Sequence, residues 1–100
     1  MSALMSAAQA APALAPHNDR VKALYFVTAD ADPSALPRLV APFAKLGLTP
    51  NRVHASREDG DGSVQSVDLR LESVPQRQAM LVEKMLRSVV GVRQVIAVLE

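Results

Sequence analysis

The stretch Asn51–Glu72, NRVHASREDGDGSVQSVDLRLE, decides the fold of this chain. Apolar and polar residues alternate from Ser66 to Glu72, which predicts a strand with one face on a core and the other in water. Asn51–Arg57 alternates more weakly and predicts a second strand. Between them, Glu58–Gly62 contains two Asp-Gly pairs, which are typical of hairpin turns because glycine tolerates positive φ. We therefore predict a β-hairpin in the middle of the chain.

A strand and a helix precede this hairpin. Arg20–Thr28 becomes apolar on both alternating faces, which predicts a central strand covered on at least part of each side. Asp32 is predicted to cap a helix that begins at Pro33, because a proline suits the first helical position. The helix is expected to end near Gly47. Pro42 lies inside it and off its apolar stripe, which predicts a kink rather than a break. The stripe consists of Leu36, Leu39, Val40, Phe43 and Leu46.

A helix and a strand follow the hairpin. Ser73 and Gln76 have the spacing of a capping box, so the second helix is expected to start there and to run to about Val90. Val92–Leu99 is predicted to be the last strand. The order β-α-β-β-α-β is typical of the ferredoxin-like α+β sandwich, a four-stranded antiparallel sheet with two helices on one face.

Composition limits the function. The 100 residues include 11 basic and 10 acidic side chains and no cysteine. These values exclude disulfides and thiolate chemistry, and they give no sign of nucleic-acid binding. No apolar run reaches the roughly 20 residues that span a bilayer, so no membrane association is expected. We expect a cytoplasmic protein with one domain at residues 20–100.

Residues 1–19 are rich in alanine and contain two prolines, and no basic residue precedes Arg20. A secretory signal needs a basic start followed by a compact apolar segment. We therefore predict a disordered tail over residues 1–19, with Met5 as an alternative start of translation.

No catalytic or metal-binding set stands out. His17 falls in the tail, and His54 lies on the polar side of its strand. A calcium loop counted from Asp59 would need a glutamate at its twelfth position, where Arg70 stands. The pair Asp30 and Asp32 is explained by helix capping and solvation, with ligand binding by this loop as the alternative. We expect no enzyme activity, no metal and no cofactor.

Three segments carry a family likeness: DPSALPRL at Asp32–Leu39, FAKLG at Phe43–Gly47 and LRSVVGVRQV at Leu86–Val95. With them the span Ala23–Leu99 resembles the ACT domain, and most closely the small regulatory subunit of acetolactate (acetohydroxy acid) synthase. The resemblance implies domains that pair side by side and bind an amino acid at the interface, using the loop after the first strand. It also implies a thiamine-diphosphate-dependent catalytic subunit as partner, with activation and feedback inhibition by branched-chain amino acids.

The effector site that this likeness implies consists of Asp32, Pro33, Ser34, Ala35, Leu36 and Thr49. A helix N-terminus presents backbone N–H groups that suit a carboxylate, so Ser34, Ala35 and Leu36 are the expected donors and wall. Many amino-acid-binding members have glycine where this chain has Ser34, and often asparagine where it has Thr49. The longer members also have a C-terminal domain, and this chain ends at Glu100.

Two functions follow from these observations. The first is a regulatory subunit or amino-acid sensor. The second is a free-standing interaction module of the same fold without a ligand, which the loss of the glycine favours. An acylphosphatase would need an arginine in a glycine-rich cradle, and Ala29–Ser34 has neither; RNA-recognition modules need more exposed aromatic residues than Tyr25 or Phe26. A thin core and two sheet edges predict a homodimer formed through a sheet edge or helix contacts.

Overall fold

The computed structural model describes residues 19–58 and 60–100. The predicted tail therefore lies outside the described residues except for Asp19, and so do Met5 and His17 within it. Asp59 in the hairpin turn also lies outside them. Six elements follow one another in the predicted order. They are β1 (Arg20–Asp30), α1 (Ala35–Lys45), β2 (Arg52–Arg57), β3 (Val64–Pro75), α2 (Gln76–Arg87) and β4 (Val92–Leu99).

The four strands form one antiparallel sheet in the order β2-β3-β1-β4. This order confirms the ferredoxin-like sandwich and the central position of β1. The inward side chains of the two central strands are almost fully buried, because successive strand residues alternate between the two faces and the helices cover the inner one. These buried strand residues are Ala23, Tyr25, Val27, Ala29, Val67, Leu69, Leu71 and Val74.

Tyr25 ties the sheet to α2. Its hydroxyl donates a 2.6 Å hydrogen bond to the backbone oxygen of Ala79, and its ring meets Phe43 edge-on with 6.0 Å between centroids. Burial raises the pKa of Tyr25 to about 12, with a smaller contribution from the negative charge of Glu83. The only tyrosine of the chain therefore satisfies its polar tip inside an aliphatic core.

The outer face of the sheet differs from the sequence expectation. Phe26 and Ile96 oppose each other on β1 and β4 and are 39% and 50% exposed, and Val98 is 38% exposed. Both helices pack on the inner face, so the predicted cover on each side of β1 is wrong for the described part of the chain. The second apolar set of β1 instead forms a patch on an open sheet face.

The start and interior of α1 also differ from prediction. The helix begins at Ala35, two residues later than expected, because Pro33 and Ser34 form a turn that Asp32 holds. The helix continues through Pro42, as expected. However, Pro42 is buried rather than off the apolar stripe, because it follows Leu39 by three residues and so shares its face.

The capping box predicted for α2 is wrong. β3 continues to Pro75, and the hydroxyl of Ser73 accepts a 2.8 Å hydrogen bond from Arg20 Nε. Sheet pairing of the β3 end with Arg20 thus prevails over local capping, and α2 begins at Gln76. It ends at Arg87 rather than Val90, in a turn that leads to Gly91 with φ of 93°. Among the described residues, no helix has the length and hydropathy needed to cross a bilayer.

Candidate effector site and the β2 edge

The loop between β1 and α1 is held by the strands around it. The Asp30 amide donates to the Gly91 oxygen and the Ala31 amide donates to the Ser63 oxygen, each at 2.9 Å. The Asp30 carboxylate accepts a 2.7 Å bond from Arg93 Nε on β4. These contacts tie the loop to the starts of β3 and β4, the two strands that flank β1, so the fold itself sets the position of the loop.

Asp32 occupies the start of α1. Its Oδ1 atom accepts hydrogen bonds from the amide and the hydroxyl of Ser34, both at 2.8 Å, and its backbone oxygen accepts the Ala35 amide at 2.9 Å. The bonds from Ser34, the amide first, hold the pKa of Asp32 below its usual range. Two of the amides expected to receive an effector carboxylate therefore already donate to Asp32, and the loop presents a negative charge instead.

A shallow cavity of about 210 Å³ lies beside this carboxylate. Its walls are Ala31, Asp32, Pro33, Arg57 and Gln65. The Arg57 guanidinium is fixed by a 2.7 Å hydrogen bond from its Nη2 atom to the Gly62 backbone oxygen. The side-chain amide of Gln65 donates to the Asp30 backbone oxygen at 3.1 Å. The cavity thus carries one fixed positive group and one negative group.

Sequence reasoning did not include Arg57 and Gln65 in the site. The strand register brings them there, because Arg57 opposes Gln65, and Gln65 opposes Ala29 just before the loop. Counting outward from the Asp-Gly turn places Arg57 and Gln65 at the same end of the sheet. That count, combined with the position of the loop after β1, is the signal that could have found them.

The six predicted site residues fall into two groups. Asp32 and Pro33 line the cavity and Ser34 follows them, while Ala35 is buried against the core and Leu36 packs partly on it. Thr49 is exposed beyond the other end of α1, whose 11 residues span roughly 16 Å. Within one chain, the structure brings the first group together and leaves Thr49 at the opposite end of the domain.

β2 is an edge strand with every residue exposed. Val53 pairs with Leu69, which is 1% exposed, so both side chains point to the helix side of the sheet. Yet Val53 itself is 43% exposed, since neither helix covers the edge. The edge therefore combines open backbone groups with an uncovered apolar side chain, a combination that favours addition of another strand.

The other candidate residues noted in the sequence do not assemble into a site. His54 opposes Asp68 on the outer face of the sheet. Asp61 accepts the Ser63 amide at 2.9 Å in the hairpin turn, and this bond holds its pKa below the usual range. In residues 19–58 and 60–100 there is no group of three or more histidine, cysteine or acidic side chains that could hold a metal ion.

The fold places the chain in the class of ferredoxin-like α+β domains, here with a small charged cavity beside an unpaired sheet edge. Within that class, the sequence profile described as an ACT-like domain matches residues 16–98, and the chain belongs to this ACT-like domain family. ACT domains are typically regulatory, non-catalytic modules that oligomerise and accompany catalytic subunits. No curated protein matches the chain.

Solved structures show the same fold at low sequence identity. The ACT domain of the GTP pyrophosphokinase of Chlorobium tepidum is 13% identical, with a TM-score of 0.65 over 79% of this chain and 99% of that one. The regulatory subunit of aspartate kinase from Thermus flavus is 17% identical, with a TM-score of 0.55 over 79% and 52%. A homoserine dehydrogenase from Thiobacillus denitrificans is 11% identical, with a TM-score of 0.66 over 88% of this chain and 19% of the enzyme.

Proposed function

We propose that this chain is a non-catalytic regulatory subunit that pairs with itself, binds a small amino acid and acts on a catalytic subunit. The supporting observation is the charged cavity of about 210 Å³ beside the open β2 edge. The enzyme we propose as partner is a thiamine-diphosphate-dependent acetolactate synthase, with branched-chain amino acids as effectors.

The charges of the cavity suit the two ends of an amino acid. The Arg57 guanidinium offers a planar pair of donors to a carboxylate, and the Asp32 carboxylate suits an ammonium group. Pro33 and Ala31 supply the apolar wall against which an aliphatic side chain can lie. This arrangement replaces the earlier expectation that the effector carboxylate docks on the helix amides.

A second copy completes the cavity. Ligand pockets usually enclose about 300–1,000 Å³, so a cavity of about 210 Å³ suits part of a site. Pairing of β2 with β2 of another copy about a twofold axis would run antiparallel, so the Arg57 end of one strand meets the Arg52 end of the other. Thr49 precedes Arg52 by three residues and would thereby reach the cavity of its partner. This pairing would bring Thr49 of one copy close to Asp32, Pro33 and Ser34 of the other.

The family and its neighbours support a role beside an enzyme. The Thermus flavus neighbour is the regulatory subunit of an aspartate kinase, and the Chlorobium tepidum neighbour is the ACT domain of a GTP pyrophosphokinase. The Thiobacillus denitrificans neighbour is a homoserine dehydrogenase, and the match covers 19% of it. The choice of acetolactate synthase depends on the segments DPSALPRL, FAKLG and LRSVVGVRQV of this chain, which resemble its small subunit. These segments cover the loop after β1, both ends of α1, the end of α2 and the start of β4.

Calorimetry with L-valine, L-leucine and L-isoleucine tests the effector. We expect heat of binding from at least one of them, and Arg57→Gln should weaken the affinity about tenfold or more, because a charge-assisted bond to the carboxylate is lost. Arg77→Gln removes the same charge from α2, outside both the cavity and β2, and serves as the control. Ser34→Leu should also abolish binding, since a bulky side chain next to Asp32 blocks the loop. Equal affinities for wild type, Arg57→Gln and Ser34→Leu would contradict the site.

Reconstitution with the catalytic subunit tests the enzyme partner. Addition of this chain to an acetolactate synthase catalytic subunit from the same organism should raise the rate of pyruvate consumption, and the bound amino acid should reverse the increase. An unchanged rate would reject this partner while leaving the calorimetric result in place.

A ligand-free interaction module is the second candidate. Ser34 stands where many amino-acid-binding members have glycine, and the Ser34 and Ala35 amides already donate to Asp32. Under this alternative the chain still pairs through β2, and none of the three amino acids produces heat. Ser34→Gly should then leave calorimetry unchanged as well.

A further inference from the structure

The helix layer concentrates positive charge. α1 and α2 together contain five basic side chains and one acidic one, whereas the rest of the sequence contains six basic and nine acidic side chains. The single acid of the helices, Glu83, pairs with Arg87. The helices of this nearly neutral chain thus carry a net positive charge, and the rest of the sequence carries a net negative charge. The net charge of the whole chain does not reveal this separation.

A groove runs between the two helices on their outward side. Its floor is apolar: Leu81 and Met85 lie one turn apart on α2, and Val89 follows in the turn after the helix. Pro42 and Leu46 face them from α1 and its end. Two adjoining depressions of about 280 and 510 Å³ make up this helix groove, and Leu81 on its floor is 42% exposed.

Basic side chains border the helix groove on both sides. Arg38 and Lys45 line it from α1, and Arg77 and Lys84 line it from α2. In the described part of the chain, the ion pairs are formed by other basic residues, and none involves these four. The groove therefore pairs an apolar floor with four basic side chains, none of which forms an ion pair with an acid of the described residues.

We propose that the helix groove docks an acidic amphipathic helix of another protein. A helix with apolar residues at i, i+3, i+4 and i+7 can seat them between α1 and α2, and carboxylates on its flanks then meet the basic border. The nine residues from Leu81 to Val89 span roughly 12 Å, which suits two to three helical turns.

The observations disfavour two other occupants. A second copy related by a twofold axis at this face would bring its own positive helix layer against this one, and like charges would oppose the contact. A single-stranded nucleic acid is held by aromatic stacking, and no aromatic side chain lines the groove. The groove shares no lining residue with β2 or with the Asp32 cavity, so variants at Lys45, Leu81 and Lys84 test this proposal independently of effector binding and of pairing through β2.

Fluorescence anisotropy with a labelled peptide tests the proposal. The probe is a helix-forming peptide of four turns with leucine at i, i+3, i+4 and i+7 and glutamate on its flanks. We expect it to bind the full chain, and Lys45→Glu and Lys84→Glu should each weaken binding about tenfold or more. Lys22→Glu makes the same charge change on β1 and should leave binding unchanged. Raising the ionic strength should weaken the complex, because the border charges are exposed.

Two further comparisons make the result decisive. Leu81→Asp should abolish binding, whereas Val90→Asp places the same charge on a 78% exposed valine outside the groove and should not. If a groove variant fails to fold by circular dichroism, Lys84→Gln replaces it. Failure of the acidic peptide to bind, equal binding of a peptide with lysine in place of glutamate, or displacement by a single-stranded oligonucleotide would each overturn the proposal.

Discussion

The two edge strands of the sheet differ sharply in how the helices cover them. In the inward row that crosses the sheet, Val53 on β2 is 43% exposed, while Leu69 and Tyr25 on the central strands are at most 1% exposed and Ala97 on β4 packs on the core. Val95, also on β4, is 5% exposed. Both strands have one side without a hydrogen-bonded neighbour, but the inward side chains of β4 are covered by α2, whereas those of β2 are left exposed.

The placement of α2 explains the difference. α2 follows β3 and leads into β4, so it lies across the central strand that they flank, and the Tyr25 hydroxyl fixes it there through Ala79. α1 connects β1 to β2 but leaves β2 uncovered. The uncovered edge is also the one whose Arg57 end borders the charged cavity. Pairing and effector binding are therefore proposed for the same side of the molecule.

Aspartate substitution on the two edges should give the largest contrast. Val95→Asp places a charge beneath α2 and should cost about 3–5 kcal/mol, enough to prevent stable folding of a small domain. Val53→Asp places the same charge at an exposed position and should leave a cooperatively folded chain. Urea unfolding followed by circular dichroism measures both. Similar losses in the two variants would show that β2 is as well covered as β4.

Titration of Tyr25 should sharpen the role of α2. Its pKa of about 12 lies above the ordinary value of 10.0, so folding favours the protonated hydroxyl. The resulting stability is fully present below pH 10 and is lost as the pH rises through about 12. Because the chain has one tyrosine, the ultraviolet absorbance of the phenolate reports it directly. Native protein should titrate well above the urea-unfolded protein; coincident curves would mean that the hydroxyl is not buried.

Removing the same hydroxyl gives a smaller effect. Tyr25→Phe should lower the free energy of unfolding by about 1 kcal/mol at neutral pH, since one buried hydrogen bond to α2 is lost. The measurement is urea unfolding, with hydrogen exchange of the α2 and β4 amides as a local readout. Unchanged exchange in both elements would remove Tyr25 from the explanation of edge covering.

The surface ion pair of β4 should contribute least. Arg93 and Asp30 meet at 2.7 Å, but about half of each side chain is exposed, so solvent screens the pair. Arg93→Ala should cost less than about 1 kcal/mol, and the loss should shrink at high salt. A larger loss that salt does not change would indicate that the pair, rather than packing under α2, secures β4.

The sequence predicted the order of elements because periodicity and the four glycines mark each strand and helix independently. β4 was predicted with the observed bounds, and β1 was correctly placed at the centre. Errors occurred where tertiary contacts compete with local signals. Ser73 has the spacing of a helix cap, but Arg20 on a neighbouring strand takes its hydroxyl.

The site was harder to predict than the fold. Asp32, Pro33 and Ser34 follow β1 directly, so the chain order alone marks them as one loop. Arg57 lies 25 positions after Asp32 and enters the cavity only through the register of the hairpin. Thr49 joins the others only if a second copy is present, and no single-chain pattern carries that information. The exposure of β2 could not be predicted either, because it depends on where the two helices pack on the sheet.

Sedimentation equilibrium of the wild type, Val53→Asp and Ile96→Asp tests pairing through β2 most directly. The account predicts twice the chain mass of 10.7 kDa for the wild type and for Ile96→Asp, whose substitution lies on the outer sheet face. It predicts a folded monomer for Val53→Asp. A monomeric wild type, or a Val53→Asp variant that remains a dimer while Ile96→Asp dissociates, would contradict it.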